Sequence, residues 1–351
     1  MLLYALYVLG GLIVLSYGAD RLIRSSVMIA QFYKVSPLII GMTIVAFGTS
    51  APEAAVSWIS TFYGQEGIAV GNVVGSNLFN ILVVLGVTAF ISPLKVNLKI
   101  IKVEVPLVIL FTALMWGLFV DGRFAYIEGT IFLALFVGFN YLQFYLSKKE
   151  KQAIVDIEVE DVSNVSPAKE SIYFVFGLIL LVGGSRLFVF GAEHLARALG
   201  ISDVIIGLTI VGIGTSLPEL AASLAAAKQN QSDMAIGNVV GSNIYNLLLV
   251  LGGSAFFADF IPMSEMFVRQ DMLVLMFSTA ILLPVLHTQL SMSKFEGLSF
   301  LGLYVLYTIF LVCQTLAFHV DLIWTSLIYY MSAMAVFAVA KVLLEFKSKR
   351  C

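Results

Sequence analysis

Two glutamates, Glu53 and Glu219, stand in matching contexts, Gly48-Thr49-Ser50-Ala51-Pro52-Glu53 and Gly214-Thr215-Ser216-Leu217-Pro218-Glu219. Both fall inside long apolar stretches. A carboxylate at the centre of a bilayer costs at least about 2.5 kcal/mol, so it is retained where it pairs, faces a cavity or carries function. The proline before each glutamate removes a helix hydrogen bond and the glycine loosens the backbone. Both helices are therefore expected to kink and to free carbonyl oxygens around Ala46 and Gly212. Broken helices at membrane depth are tolerated where they line a cavity.

Each motif is followed by Gly-Asn-Val-Val-Gly-Ser-Asn-x-x-Asn, which supplies Ser76 and Asn80, then Ser242 and Asn246. Residues four apart share a helix face. The pooled donors are two carboxylates, several hydroxyls, two amides and backbone carbonyls, the set a hard cation prefers. Calcium takes roughly six to eight oxygens in flexible geometry. The absence of Cys and His from these stretches argues against zinc, copper and iron. Two carboxylates balance one calcium ion, and the neutral oxygens can divide into several sodium sites.

The elements that must position these residues are repeated. Residues 41–86 align without gaps on residues 207–252 at a constant offset of 166, and 25 of the 46 positions are identical. The identities include Thr, Ser, Glu and Asn, which a lipid-facing composition alone does not favour. The offset also relates Gly11 to Gly177 and Gly18 to Gly184. The duplicated unit is thus five helices, and two copies of an odd-span unit in one chain must lie in opposite orientations, as in many secondary transporters.

The chain of 351 residues is 60% hydrophobic and 12% charged, too apolar for one soluble core. Apolar windows of about 20 residues start near Leu3, Pro37, Ile68, Val105, Ala125, Ser171, Val204, Met234, Gln270, Glu296 and Leu322. The expected fold is an all-α polytopic membrane protein with 11 transmembrane spans: two inverted five-helix repeats plus one extra C-terminal helix. The first repeat is assigned to residues 1–146, a cytoplasmic linker to 147–170, the second repeat to 171–318, and the extra helix with its basic tail to 319–351. Turn residues such as Ser92-Pro93, Asp121-Gly122-Arg123 and Ile261-Pro262 mark the connections. Lys34, Lys95, Lys99, Lys102, Lys148, Lys149, Lys151, Lys169, Lys228 and Lys294 collect on one side, against chiefly Arg123, Arg197 and Arg269 on the other. Positive-inside counting then puts the N-terminus outside and the C-terminus in the cytoplasm. The first apolar stretch reads as a span, with no basic leader or small-residue cleavage site.

The two motif pairs resemble the alpha-repeat signatures of the calcium/cation antiporter superfamily, and most closely its prokaryotic sodium/calcium exchanger branch. The resemblance covers ten spans in outline and the two aligned segments in detail. It implies antiport of Na+ against Ca2+ by alternating access in the inner membrane, with these ions as transported species, no organic cofactor, and a monomer. By the same resemblance the ion ligands are Ala46, Thr49, Ser50, Glu53, Ser76 and Asn80, and Gly212, Thr215, Ser216, Glu219, Ser242 and Asn246. The potassium-dependent branch has an acid where this chain has Asn246, so potassium independence is expected. The proton/calcium branch has a Gly-Asn-x-x-Glu pattern, and here Val74 and Gly75 stand where its acid would fall. Proton-coupled or potassium-dependent exchange remains the alternative of the same fold, with a calcium channel or sensor behind it.

Other classes are disfavoured. A net charge of −2 supplies no basic face for nucleic acid. No His-Glu metal motif, nucleophile elbow or Walker loop is present, and neither Ser50 nor Ser216 has a His in its motif to act as a base, so an enzyme is not expected. Cys313 and Cys351 lack metal-ligand spacing. Asn72, Asn77, Asn238 and Asn243 fit interhelical amide bonding as well as ion ligation. Asp20, Arg186 and Glu193 read as charges near helix ends that reach the interface or pair locally.

Overall fold

A computed structural model of the chain describes residues 1–154, 166–200, 212–316 and 320–348. Helices dominate because a helix satisfies every backbone polar group within its own segment, which lipid requires. The order is α1 (Leu2–Tyr33), α2 (Pro37–Thr49), α3 (Ala51–Phe62), α4 (Glu66–Ile91), α5 (Ile100–Leu118), α6 (Tyr126–Ile154) and α7 (Pro167–Ala198). After the undescribed residues 201–211 come α8 (Gly212–Gly214), α9 (Leu217–Lys228), α10 (Ser232–Ser254), α11 (Glu265–Leu290), α12 (Lys294–Thr315) and α13 (Val320–Ser348). Among the described residues nine helices are long and apolar enough to cross a membrane, and the pair α2 and α3, bent by 42° at Ser50, makes a tenth. The span expected from Val204 begins outside the described residues.

Two features add to these expectations. The stretch assigned to the linker is helical at both ends: α6 continues to Ile154, and α7 starts at Pro167. The Lys, Glu, Gln and Ala after Ser147 are strong helix formers, and Pro167 sits at the first helical turn, where its missing N–H costs nothing. The connections also hold two short antiparallel ladders that the apolar pattern gave no sign of. Leu94–Lys95 (β1) pairs with Ser291–Met292 (β4), and Arg123–Ala125 (β2) pairs with Phe260–Pro262 (β3). Each joins a loop of the first half to a loop of the second.

Burial grades outward from the motif helices. α10 and α4 are the most enclosed, whereas α1, α6, α7 and α13 turn most of their apolar side chains outward. Since lipid tails are as apolar as leucine, helices in a membrane associate through close packing of small residues. α1 and α7 show this over several turns. A Cβ on Gly11 would stand 2.5 Å from the backbone nitrogen of Phe188, and one on Gly184 would stand 2.5 Å from that of Leu15. Gly18 meets Leu181 and Gly177 in the same way further along, so the two helices run antiparallel with their backbones touching.

Among the described residues four helices contain a wide π-helical turn: Gly41–Val45 in α2, Asn80–Val84 in α4, Ile100–Glu104 in α5 and Asn246–Leu251 in α10. Such turns are frequent at functional sites because they shift the register of the backbone hydrogen bonds. Those in α4 and α10 begin at the last asparagine of each motif.

Candidate cation site

The break between α2 and α3 is local chemistry. Pro52 has no N–H to give back, and Ser50 leaves the helical path at φ −83°, ψ 0°. α3 then restarts with Glu53 in its first turn, where unpaired N–H groups favour a negative charge. Ser216, at φ −92° and ψ 6°, and Pro218 do the same for Glu219 in the first turn of α9. The Ala46 carbonyl is not left free by the break, because it accepts the Ser50 N–H at 2.9 Å and the Thr49 hydroxyl at 3.4 Å. Both of its acceptor positions are thus engaged, and a ligand there would have to displace the long Thr49 contact. Gly212 opens α8. The Gly214 carbonyl, which loses its donor to Pro218, accepts from Ser185 Oγ of α7 at 2.6 Å.

The two breaks face each other. Ser216 Oγ donates to Glu53 Oε1 at 3.2 Å, and Ser50 Oγ donates to Glu219 Oε1 at 3.5 Å. Thr49 Oγ1 lies 3.3 Å from Ser242 Oγ and donates to Asn238 Oδ1 at 3.2 Å, while Thr215 Oγ1 donates to Asn72 Oδ1 at 3.4 Å. Glu53, Glu219, Asn80, Asn246, Thr49, Ser216 and Ser242 are wholly enclosed, and no Lys, Arg or His among the described residues bonds to either glutamate. The turn starting at Asn80 packs on α9, which carries Glu219, and the turn starting at Asn246 packs on α3, which carries Glu53.

Unsatisfied oxygens concentrate in these elements. Glu53 Oε2, Glu219 Oε2, Ser76 Oγ, Asn80 Oδ1, Asn243 Oδ1 and Asn246 Oδ1 are buried with no hydrogen-bond partner. Each would cost about 1–3 kcal/mol if nothing met it, and more for a charged group, and a cation among them would offset that cost. All the donors are hard oxygens.

The structure resolves the roles of the motif amides. Asn72 Nδ2 donates to the backbone oxygen of Glu53 at 3.2 Å and to Ser57 Oγ at 2.9 Å. Asn238 Nδ2 does the same with Glu219 at 3.4 Å and Ser223 Oγ at 3.0 Å. Asn77 and Asn243 each donate to the other's carbonyl at 3.3 Å, and Asn246 Nδ2 donates to Asn77 Oδ1 at 3.1 Å. These amides clamp the glutamate helices and join the two halves. Ser57 and Ser223 were not singled out from sequence, although they are an identical pair at the 166-residue offset. Beside the breaks lies a cavity of about 320 Å³ whose wall includes Pro52, Pro218 and Thr215.

A family model described as "Sodium/calcium exchanger protein" matches residues 3–145 and 169–313. Sodium/calcium exchanger MaX1 of Methanosarcina acetivorans is 32% identical over 343 residues, covering 87% of this chain and 97% of that protein. Inner membrane protein YrbG of Escherichia coli is 35% identical over 260 residues, covering 72% of this chain and 79% of that protein. Among solved structures, the sodium-calcium exchanger NCX_Mj soaked with 2.5 mM Na+ and 0.1 mM Ca2+ matches with a TM-score of 0.75 at 35% identity, over 87% of this chain and 97% of that chain.

Proposed function

The chain belongs to the family of sodium/calcium exchanger proteins, multi-pass membrane cation antiporters, and from that premise we propose that it exchanges Na+ for Ca2+ at a site held by Glu53 and Glu219. The observation that carries this reading is the group of buried, unpartnered oxygens around two carboxylates with no basic residue among the described ones bonded to them. Ser50, Ser216, Thr49, Thr215, Ser76, Ser242, Asn80 and Asn246 complete the ligand set, with the Ala46 and Gly212 carbonyl oxygens. With both carboxylates engaged, calcium neutralises the site, and several sodium ions on the same oxygens do so in competition.

The same residues give the exchange its obligatory character. An empty site carrying two negative charges resists enclosure in a low-dielectric interior, and a loaded one does not. Only loaded forms then change sides. The two halves are read as an inverted repeat giving eleven spans with the N-terminus outside. The antiparallel packing of α1 on α7 and the reciprocal bonds between Asn77 and Asn243 support this reading. α1 and α7, locked to each other by their glycines, move as one body across the bundle that holds the site. The chain acts as a monomer in the cell membrane.

The test is calcium-45 uptake into proteoliposomes loaded with sodium, potassium or choline, for the wild type and Glu219→Gln. Uptake that needs internal sodium and is lost in the variant is expected. Uptake indifferent to internal sodium would overturn sodium coupling, and full activity in the variant would overturn the site.

A further inference from the structure

We propose that Arg186 is a specificity-determining residue at the mouth of the cation site, a fixed positive charge that disfavours divalent more than monovalent cations; this rests on the reading that Glu53 and Glu219 hold the transported ions. Arg186 lies about 28 Å along α7 from Pro167 at 1.5 Å per residue, near the midpoint of that helix. The sequence pattern alone placed it toward a helix end. An arginine at such depth is costly against lipid and is found where it pairs or faces water. Arg186 is exposed and makes no hydrogen bond or ion pair with any described residue. The acid on the same wall, Glu193, is held by Arg197 at 2.8 Å.

What Arg186 does face is the cavity of about 320 Å³, where it shares the wall with Thr215, Pro52 and Pro218. Those prolines immediately precede the two glutamates. Thr215 is only half-buried, whereas its counterpart Thr49 is fully enclosed, so this cavity is the open side of the site. Ser185 fixes the adjacent turn of α7 to the break through its 2.6 Å bond to the Gly214 carbonyl. The backbone that carries Arg186 is thereby held beside the break.

Packing does not call for an arginine here. The 166-residue offset sets Asp20 opposite Arg186, and Asp20 pairs with Arg24 at 2.9 Å and accepts from Gln229 at 2.8 Å. At the closest glycine contacts of α1 and α7 the halves carry the same residue, Gly11 with Gly177 and Gly18 with Gly184; at this position they carry opposite charges. In water a unit charge about 10 Å away lowers the local concentration of a divalent cation about fourfold and of a monovalent one about twofold before screening. Low-dielectric walls strengthen the field.

The experiment measures KM and kcat for sodium-driven calcium-45 uptake in right-side-out and inside-out vesicles, with Arg186→Lys, Arg186→Gln and Arg186→Glu beside the wild type. At an ionic strength of about 10 mM, where the screening length is about 30 Å, the KM for calcium should fall about threefold in Arg186→Gln and further in Arg186→Glu. It should stay at the wild-type value in Arg186→Lys, change on one face only with kcat held, and shrink toward no effect as salt rises. A KM that does not follow the charge at residue 186, or a lysine variant that behaves as the glutamine one, overturns the proposal. Failure of the wild type to couple calcium uptake to sodium would instead refute the exchanger reading on which it rests.

Discussion

Ser216 Oγ reaches across the boundary between the halves to donate to Glu53 Oε1 at 3.2 Å, although Ser50 is far nearer to Glu53 in sequence. Each carboxylate is thus oriented by the opposite broken helix. One oxygen of each is fixed by a serine and the other is left without a partner. A movement that separates the two breaks therefore disturbs both carboxylates at once, coupling the geometry of the site to the relative position of the halves.

The charges and the hydroxyls at the site should differ in weight. Leaving a buried charge uncompensated costs about 3–5 kcal/mol, so Glu53→Gln should weaken calcium binding by more than about a hundredfold. Ser216→Ala, which loses a bond to a charged group of about 1.5–3 kcal/mol, should weaken it by about ten- to a hundredfold. Equilibrium calcium-45 binding in detergent checks both. Equal effects would contradict the cross-boundary arrangement.

Charge counting makes a second prediction. Asn246 Oδ1 is buried and unpartnered, and its amide nitrogen bonds to Asn77. Asn246→Asp adds a third carboxylate that one calcium ion cannot neutralise. Calcium uptake by this variant should become stimulated by external potassium, while the wild type stays indifferent to it. A potassium series on both proteins reads this directly.

The glycine seam can be tested by one methyl group. Gly184→Ala places a Cβ 2.5 Å from the Leu15 backbone nitrogen and must push α1 from α7, whereas a Cβ on the neighbouring Gly183 meets nothing within 4 Å. Overpacking costs about 1–3 kcal/mol. Thermal melting in detergent should show Gly184→Ala less stable and Gly183→Ala unchanged or slightly more stable.

An ion pair helps to tie on the last helix. Lys341 Nζ of α13 meets Glu296 Oε1 at 2.7 Å, and Glu296 Oε2 accepts from the Ser293 N–H and hydroxyl in the capping box that opens α12. Lys341 is partly exposed, so water moderates the loss; Lys341→Met should cost about 1–2 kcal/mol. Glu296→Gln combined with Lys341→Met should recover part of it. Melting midpoints for the single and double variants measure the coupling, and sodium-driven uptake at low temperature should survive in both.

Much of this protein was open to reading before any coordinates. The glutamates betray themselves because lipid makes a carboxylate too costly to keep idle, and an exact 166-residue offset repeats the serines and asparagines around them. The helices follow from the length of the apolar runs. The wide turns at Asn80 and Asn246 and the ladder between Leu94 and Met292 were not legible, since they depend on contacts between segments far apart in sequence. Asn72 and Asn77 could equally have been ligands or clamps from their spacing, and only partner distances assigned them to clamping.

The sequence by itself determined the membrane environment, the duplication, and the hard-oxygen chemistry of Glu53 and Glu219, because composition and period report the solvent and the repeat. Tertiary structure decided which serine serves which glutamate, that the Ala46 carbonyl keeps its helical partner, and that Arg186 lines the cavity beside the two breaks. Hydrogen bonds and charge effects act over a few ångströms, and which groups come that close is set by how antiparallel helices pack, a relation that no local stretch of sequence contains.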